Sequence, residues 1–384
     1  MATVAPYKEA IEIVGEAGGE ALRLCYQCGL CSAVCPWNLV RSLDVRRMIH
    51  QAQLGLVDFE SEDIWLCATC RDCVRQCPRG VEIIDVMRAL HQVVVELGAG
   101  YIPDALRISM KNISAVGNPL GKEREKRADW AKGLQVRPFA AGMELLYFPC
   151  CIPAYDPLAG RVARATAHVL EKAGIDFGIL GPQESCCGES VRKAGNESLF
   201  QSLAQSNIRA FSENGVERIL TTSPHCYNTF KNEYPQLGGD FEVIHYTQYF
   251  TQLISQGRLK FTKSLNKRVT YHDPCYLGRH NGIYDEPRQV LESIPGLKLI
   301  EMEDRRERAL CCGGGGGRIW QESKKGERLS DLRLEQAIEV GAEILAVACP
   351  YCMLNLADSV STADKSEIIE IKDIAELVWE AVAA

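Results

Sequence analysis

The sequence predicts an α/β fold: parallel sheets across the C-terminal two-thirds, arranged as two copies of one module, behind an all-helical N-terminal third. Three observations predict it. A cysteine spacing repeats between Cys25 and Cys77, short apolar runs alternate with helical segments beyond residue 143, and a second cysteine pattern recurs across those runs. Alternating strands and helices imply parallel pairing, because a parallel neighbour is reached only through a crossover that lays a helix on the sheet.

In the N-terminal third, "CYQCGLCSAVCPW" places Cys25, Cys28, Cys31 and Cys35 before Pro36. "CATCRDCVRQCPR" places Cys67, Cys70, Cys73 and Cys77 before Pro78, every offset repeated 42 residues on. The pattern C-x2-C-x2-C-x3-C-P is the bacterial ferredoxin run, in which three thiolates grip one cubane and the fourth reaches the other. It assigns Cys25, Cys28, Cys31 and Cys77 to one [4Fe-4S] cluster, and Cys67, Cys70, Cys73 and Cys35 to the second. Soft thiolates select iron-sulfur clusters or zinc. A pair of zinc sites needs only a CxxC from each half and leaves the matched third and fourth cysteines unexplained. Leu43, Val45, Met48, Ile49 and Leu54 fall close to a helical stripe, as do the apolar residues of 81–98, so helices wrap the clusters. His50 and His91 lie on these helices and receive no role. This domain is expected over residues 1–100.

From 101 to 143 the period weakens. Gly117-Asn118-Pro119 marks a turn, and the mixed-charge run Lys122 to Arg127 reads as a solvated helical face. The segment is expected to be a linker.

Strands are expected at "ELLYFPC", "DFGIL", "RILTTSPHC" and "FEVIHY" in a first module (144–265), and at "RVTYHDPC", "LKLIEM", "ILAVACPYC" and "EIIEIKD" in a second (266–384). Cys150 leads Cys186 by 36 residues and Cys275 leads Cys311 by the same 36, each ending in a cysteine pair and a glycine, at an offset of 125. Carried forward with one residue of drift, Cys226 falls opposite Cys352 and Ser223 opposite Cys349. The second half therefore has Cys275, Cys311, Cys312, Cys349 and Cys352 in register, the first Cys150, Cys186, Cys187 and Cys226, and Cys151 is left over. These cysteines sit at the carboxyl ends of the strands, where helix N-termini favour anionic groups. Consecutive Cys311 and Cys312 reach one object only if the backbone bends, which the following glycines allow. "CCGGGGG" lacks the lysine and hydroxyl of a phosphate loop. Serine is a poor soft-metal ligand, so the first site reads as a cubane, a zinc ion or nothing. His225 reads as a hydrogen-bonded loop residue before a nitrogen ligand. "HDP" at His272 and Asp273 reads as a turn, with proton delivery as its second reading.

Composition bounds the partners. A chain of 384 residues allows two or three domains, and a net charge of −7 with 24% charged residues gives no basic surface for nucleic acid. No apolar run of about 18 residues offers a membrane span, and "MATVAPYKEAIEIVGEAGGEAL" has no signal-peptide pattern, so a cytoplasmic location is expected. In a reducing compartment, eighteen cysteines point to metal rather than disulfides.

Two ferredoxin-type runs followed by duplicated C…CCG…CxxC modules resemble the heterodisulfide reductase family, in the type that fuses the small iron-sulfur subunit to the cysteine-rich catalytic one. "HDPCYLGRHNGIYDEPR", "ALCCGGGGGRIW" and "ACPYCMLNL" carry the likeness. The resemblance implies a ferredoxin-like bis-[4Fe-4S] domain before two CCG modules, and a noncubane [4Fe-4S] cluster on Cys275, Cys311, Cys312, Cys349 and Cys352. It implies electron flow through two cubanes to that cluster, which reduces or forms a disulfide. It also implies partner subunits, a membrane cytochrome b or a flavoprotein, through which alone the chain meets a membrane. The arrangement is similar as well to iron-sulfur subunits of glycolate- and lactate-oxidising complexes, where the chemistry belongs to a flavin partner. A zinc-based interaction protein is the third reading.

Overall fold

The computed structural model describes residues 8–98, 100–324 and 326–382, so the N-terminal stretch read for a signal peptide lies partly outside the described residues. The chain divides into two compact units. The first comprises Met1–Met110, Ser190–Phe200 and Gly313–Leu329; the second comprises Lys111–Glu189, Gln201–Cys312 and Ser330–Ala384.

The first unit is helical. Asp44 caps the helix Val45–Gln53 by accepting from the Arg47 amide, and the helix buries Val45, Met48, Ile49 and Ala52 on one stripe. The helix Ile83–Leu97 buries Ile83, Met87, Leu90 and Val94, and ends where Gly98 turns left-handed at φ 65°. His91 belongs to this core: its ring nitrogens lie 2.7 Å from the carbonyls of Ile64 and Lys193, and it stacks on Trp65 at 4.3 Å. His50 is exposed.

The second unit holds two parallel sheets. The first contains β1 (Arg137–Pro138), β2 (Leu145–Phe148), β3 (Phe177–Ile179), β4 (Arg218–Thr221) and β5 (Glu242–His245); the second contains β6 (Arg268–Tyr271), β7 (Lys298–Leu299), β8 (Ile344–Val347) and β9 (Glu370–Asp373). All eight expected strands form. The orders are β1-β3-β2-β4-β5 and β7-β6-β8-β9, so without β1 the two sheets have one topology. In each sheet the strand before the first cysteine pairs with the strand before the last, Leu146 with Ile219 and Val269 with Ile344. The central strands β2 and β8 are buried on both faces, as sheets covered by helices on both sides require. The copies pack together through the helices Pro157–Lys172 and Ile374–Val382, with His168 stacked on Trp379 at 4.3 Å.

The segment 101–143 carries a helix, Asp104–Val116, a 3-10 stretch, Arg124–Ala131, and β1. Arg127, expected on a solvated face, is instead buried: its Nε donates to Glu184 at 2.9 Å, both side chains being 1% exposed. Burial of that charge is tolerated because a carboxylate 57 residues away is buried with it.

Candidate metal centres

The two N-terminal runs have the same backbone. Gln27 and Gly29 are left-handed at φ 68° and 87°, and Thr69 and Arg71, 42 residues on, at φ 49° and 68°. These turns aim the x2-spaced thiols inward before the short helices Leu30–Ala33 and Asp72–Arg75. Cys35 lies within electrostatic reach of Cys67 and Cys70, and Tyr26 within reach of both Cys28 and Cys77. A cavity is lined by Cys35, Cys67, Cys70 and Cys73 with Leu43 and Met87. Burial pushes Cys35 and Cys67 up to about 12, so these sulfurs ionise only where a metal replaces the proton. The residues fit a cubane. The glycine run packs directly on the backbone of the second cysteine run: a Cβ on Gly315 or Gly316 would stand 2.2 Å from the Ala68 or Cys67 carbonyl oxygen. Cys28 is exposed, among exposed Leu24, Tyr26 and Leu30.

In the second module, the loops after β7 and β8 bring four of the cysteines together. Cys312 and Cys352 have sulfurs 3.3 Å apart, Cys311 contacts Cys312, and Cys349 contacts Cys352. Cys275 is buried on the loop after β6, which Arg279 ties to the Cys311 loop by donating to the Ala309 carbonyl at 2.7 Å. Gly313, at φ 86°, makes the bend that consecutive cysteines demand. Hydrogen bonds from Cys311 and Cys352 pull Cys312 well below the ordinary thiol range, while burial pushes Cys352 well above it. A row of buried sulfurs in contact, gathered from separate loops, is a donor set that fits a metal cluster.

His272 lies against Cys312 and Cys352. Arg333 donates from Nε to its Nδ1 at 3.2 Å, which leaves the proton on Nε2. A ring in that tautomer presents an N–H, not a lone pair, toward these sulfurs. Asp273 is committed elsewhere, to a two-pronged pair with Arg288 at 2.7 and 2.9 Å. His225 comes from the first module yet reaches the second: it packs on Tyr276 and Tyr351, at 4.0 and 4.5 Å, and hydrogen-bonds Cys349. Burial alone would lower His225, but the Glu189 carboxylate and Cys349 raise it to about 10. Burial alone would raise Cys349, but hydrogen bonds from Cys352 and His225 bring it to about 6.

In the first module, Cys187 and Cys226 have sulfurs 3.4 Å apart, Cys226 contacts Cys150, and Cys186 contacts Cys187. Gly188 at φ 87° matches Gly313. Ser223 holds the position of Cys349, each at the cap of a helix beginning with proline. Its hydroxyl accepts from the Cys226 amide, a helix-capping duty, at 3.5 Å. Cys151, left over by the sequence register, contacts Cys186.

A 4Fe-4S dicluster domain matches residues 21–81, and a cysteine-rich domain matches residues 145–231 and 269–357. The chain is 36% identical, over 84% of its length and 78% of the relative's, to one subunit of the dihydromethanophenazine:CoB–CoM heterodisulfide reductase of Methanosarcina barkeri. The chain belongs to the heterodisulfide reductase family. It is also 38% identical, over 84% of its length, to the EtfAB:quinone oxidoreductase of Syntrophomonas wolfei and to the probable iron-sulfur-binding oxidoreductase FadF of Bacillus subtilis. It covers 47% of each, so it spans about half the length of these two. The family is one of iron-sulfur oxidoreductases, and the helical dicluster region before duplicated cysteine-rich modules is its architecture. Among the described residues no helix is long and apolar enough to cross a membrane.

Proposed function

We propose that this chain is the iron-sulfur subunit of a heterodisulfide-reductase-like complex, divided into a two-cubane domain (1–100), a linker (101–143) and two modules (144–265 and 266–384). Cys25, Cys28, Cys31 and Cys77 hold one cubane, and Cys67, Cys70, Cys73 and Cys35 the other. Cys275, Cys311, Cys312, Cys349 and Cys352 hold a noncubane cluster, which supplies one-electron steps and an iron with affinity for a substrate sulfur. The reaction is R–S–S–R′ with two electrons and two protons giving two thiols, or its reverse.

The observation that carries this reading is the unbroken row Cys311–Cys312–Cys352–Cys349, buried at the carboxyl ends of parallel strands, with His272 against its middle and His225 at its Cys349 end. His272 donates toward Cys312 and His225 toward Cys349, so charge arriving at these sulfurs meets positive or polarised hydrogen. His225 keeps its proton across neutral pH and is therefore able to give it to a thiolate product. The exposed apolar residues around Cys28 suit docking of a redox partner, a flavoprotein or a membrane cytochrome b.

The test is anaerobic purification followed by electron paramagnetic resonance during titration with thiols. A signal that appears only with thiol, and is lost in Cys312→Ser while the cubane signals persist, supports a substrate site. The second reading, a relay without its own substrate between a flavoprotein and a quinone-linked partner, is favoured by the 38% identity to EtfAB:quinone oxidoreductase. It predicts spectra that no thiol perturbs.

A further inference from the structure

Five sulfurs converge in the first module, one more than register allows. Contacts run Cys151–Cys186–Cys187–Cys226–Cys150 without a gap, all five side chains buried. Cys150 makes this possible. It is left-handed at φ 78° without being glycine, a conformation that persists only where the surroundings hold it, and it turns two consecutive side chains toward one place. In the second module the residue matching Cys151 is Tyr276, and the backbone at Cys275 is not left-handed.

The surroundings are those of an anion. Buried Arg127 points Nη1 at the Cys151 sulfur, 3.5 Å away, and its Nη2 has no partner among the described residues. Glu184 neutralises it from the far side through Nε. Tyr234 and Asn207 fix the loop by bonding the Cys187 and Cys186 carbonyls.

We propose that Cys150, Cys151, Cys186, Cys187 and Cys226 hold an additional iron-sulfur cluster, Cys151 taking the ligand place that Ser223 has given to its helix. Soft thiolates select iron-sulfur clusters or zinc. Tetrahedral zinc uses four of them, whereas five in contact exceed its needs. The site does not depend on the disulfide reading: a relay subunit would hold it equally.

Iron and acid-labile sulfide are counted on the whole, anaerobically purified chain, with Mössbauer spectra of iron-57-enriched protein. The wild-type chain is expected to hold about sixteen iron atoms, against about twelve if only the two cubanes and the second module are loaded. Cys151→Ser is expected to remove about four of them, or to change one quarter of the Mössbauer area, while the cubane signals stay. Adding Ser223→Cys to Cys151→Ser rebuilds a CxxC and is expected to restore the iron. A wild-type count near twelve with zinc, a disulfide or free thiols at these cysteines overturns the proposal. So does a Cys151→Ser chain whose iron, sulfide and spectra match the wild type. Should Cys151→Ser fail to fold, the wild-type count and spectrum decide alone.

Discussion

His225 hydrogen-bonds the Cys349 sulfur, although the two residues stand in different copies of the duplication. Behind it, Glu189 Oε1 lies 3.3 Å from Nδ1, so a buried ion pair from the first copy delivers one positive edge to the second. Removing that charge makes an anionic centre harder to reduce. His225→Gln is expected to move the midpoint of the second-module centre down by roughly 60–120 mV, one to two tenfold steps for a one-electron couple. Redox titration checks this; an unmoved midpoint places the centre elsewhere.

Arg127 and Glu184 are buried together, and losing one strands the other. Arg127→Met is expected to cost about 3–5 kcal/mol, and the double change Arg127→Met with Glu184→Leu far less. A thermodynamic cycle from denaturant unfolding gives the coupling. A loss that is the same in the double variant would mean that the arginine acts mainly through Cys151.

Acid weakens the second unit through His245. Burial lowers this histidine to about 3, far below its ordinary 6.5. Between those values the unfolded chain binds a proton that the folded chain refuses, so stability is complete above pH 6.5 and falls as pH falls toward 3. At pH 5 the loss amounts to about 2 kcal/mol. Unfolding at pH 7 and pH 5, compared between the wild type and His245→Asn, isolates this part: the variant is expected to lose less on acidification.

The crossed ligation proposed for the first unit has a pairing signature. Cys35→Ser and Cys73→Ser are expected to abolish one cubane signal, and Cys77→Ser and Cys28→Ser the other, each costing about four iron atoms. If Cys35→Ser and Cys28→Ser affected the same signal, each run would serve its own cluster.

The strands were legible because each buried one is a short apolar run, and the two cysteine runs because their offsets match residue for residue. β1 was not: Arg137 and Pro138 are exposed and give no apolar signal. Arg127 was misplaced because its partner lies far along the chain, where no local pattern reaches. Cys151 has no partner in the aligned set because positions aligned in sequence need not be equivalent in space, and the φ of Cys150 breaks that equivalence. A left-handed non-glycine residue leaves no mark in composition or periodicity. The reach of His225 into the other copy was hidden for a related reason: comparing halves side by side says nothing about where they meet.

The hydroxyl at position 223 differs by one atom from the thiol at 349, and that atom decides what each side chain serves. Ser223 fastens the start of its helix before any inorganic cargo arrives, whereas Cys349 makes no such side-chain bond. In the earlier copy that position serves the backbone. In the later one it turns to the neighbouring sulfurs, so the same place in the fold anchors a helix in one copy and a cradle in the other.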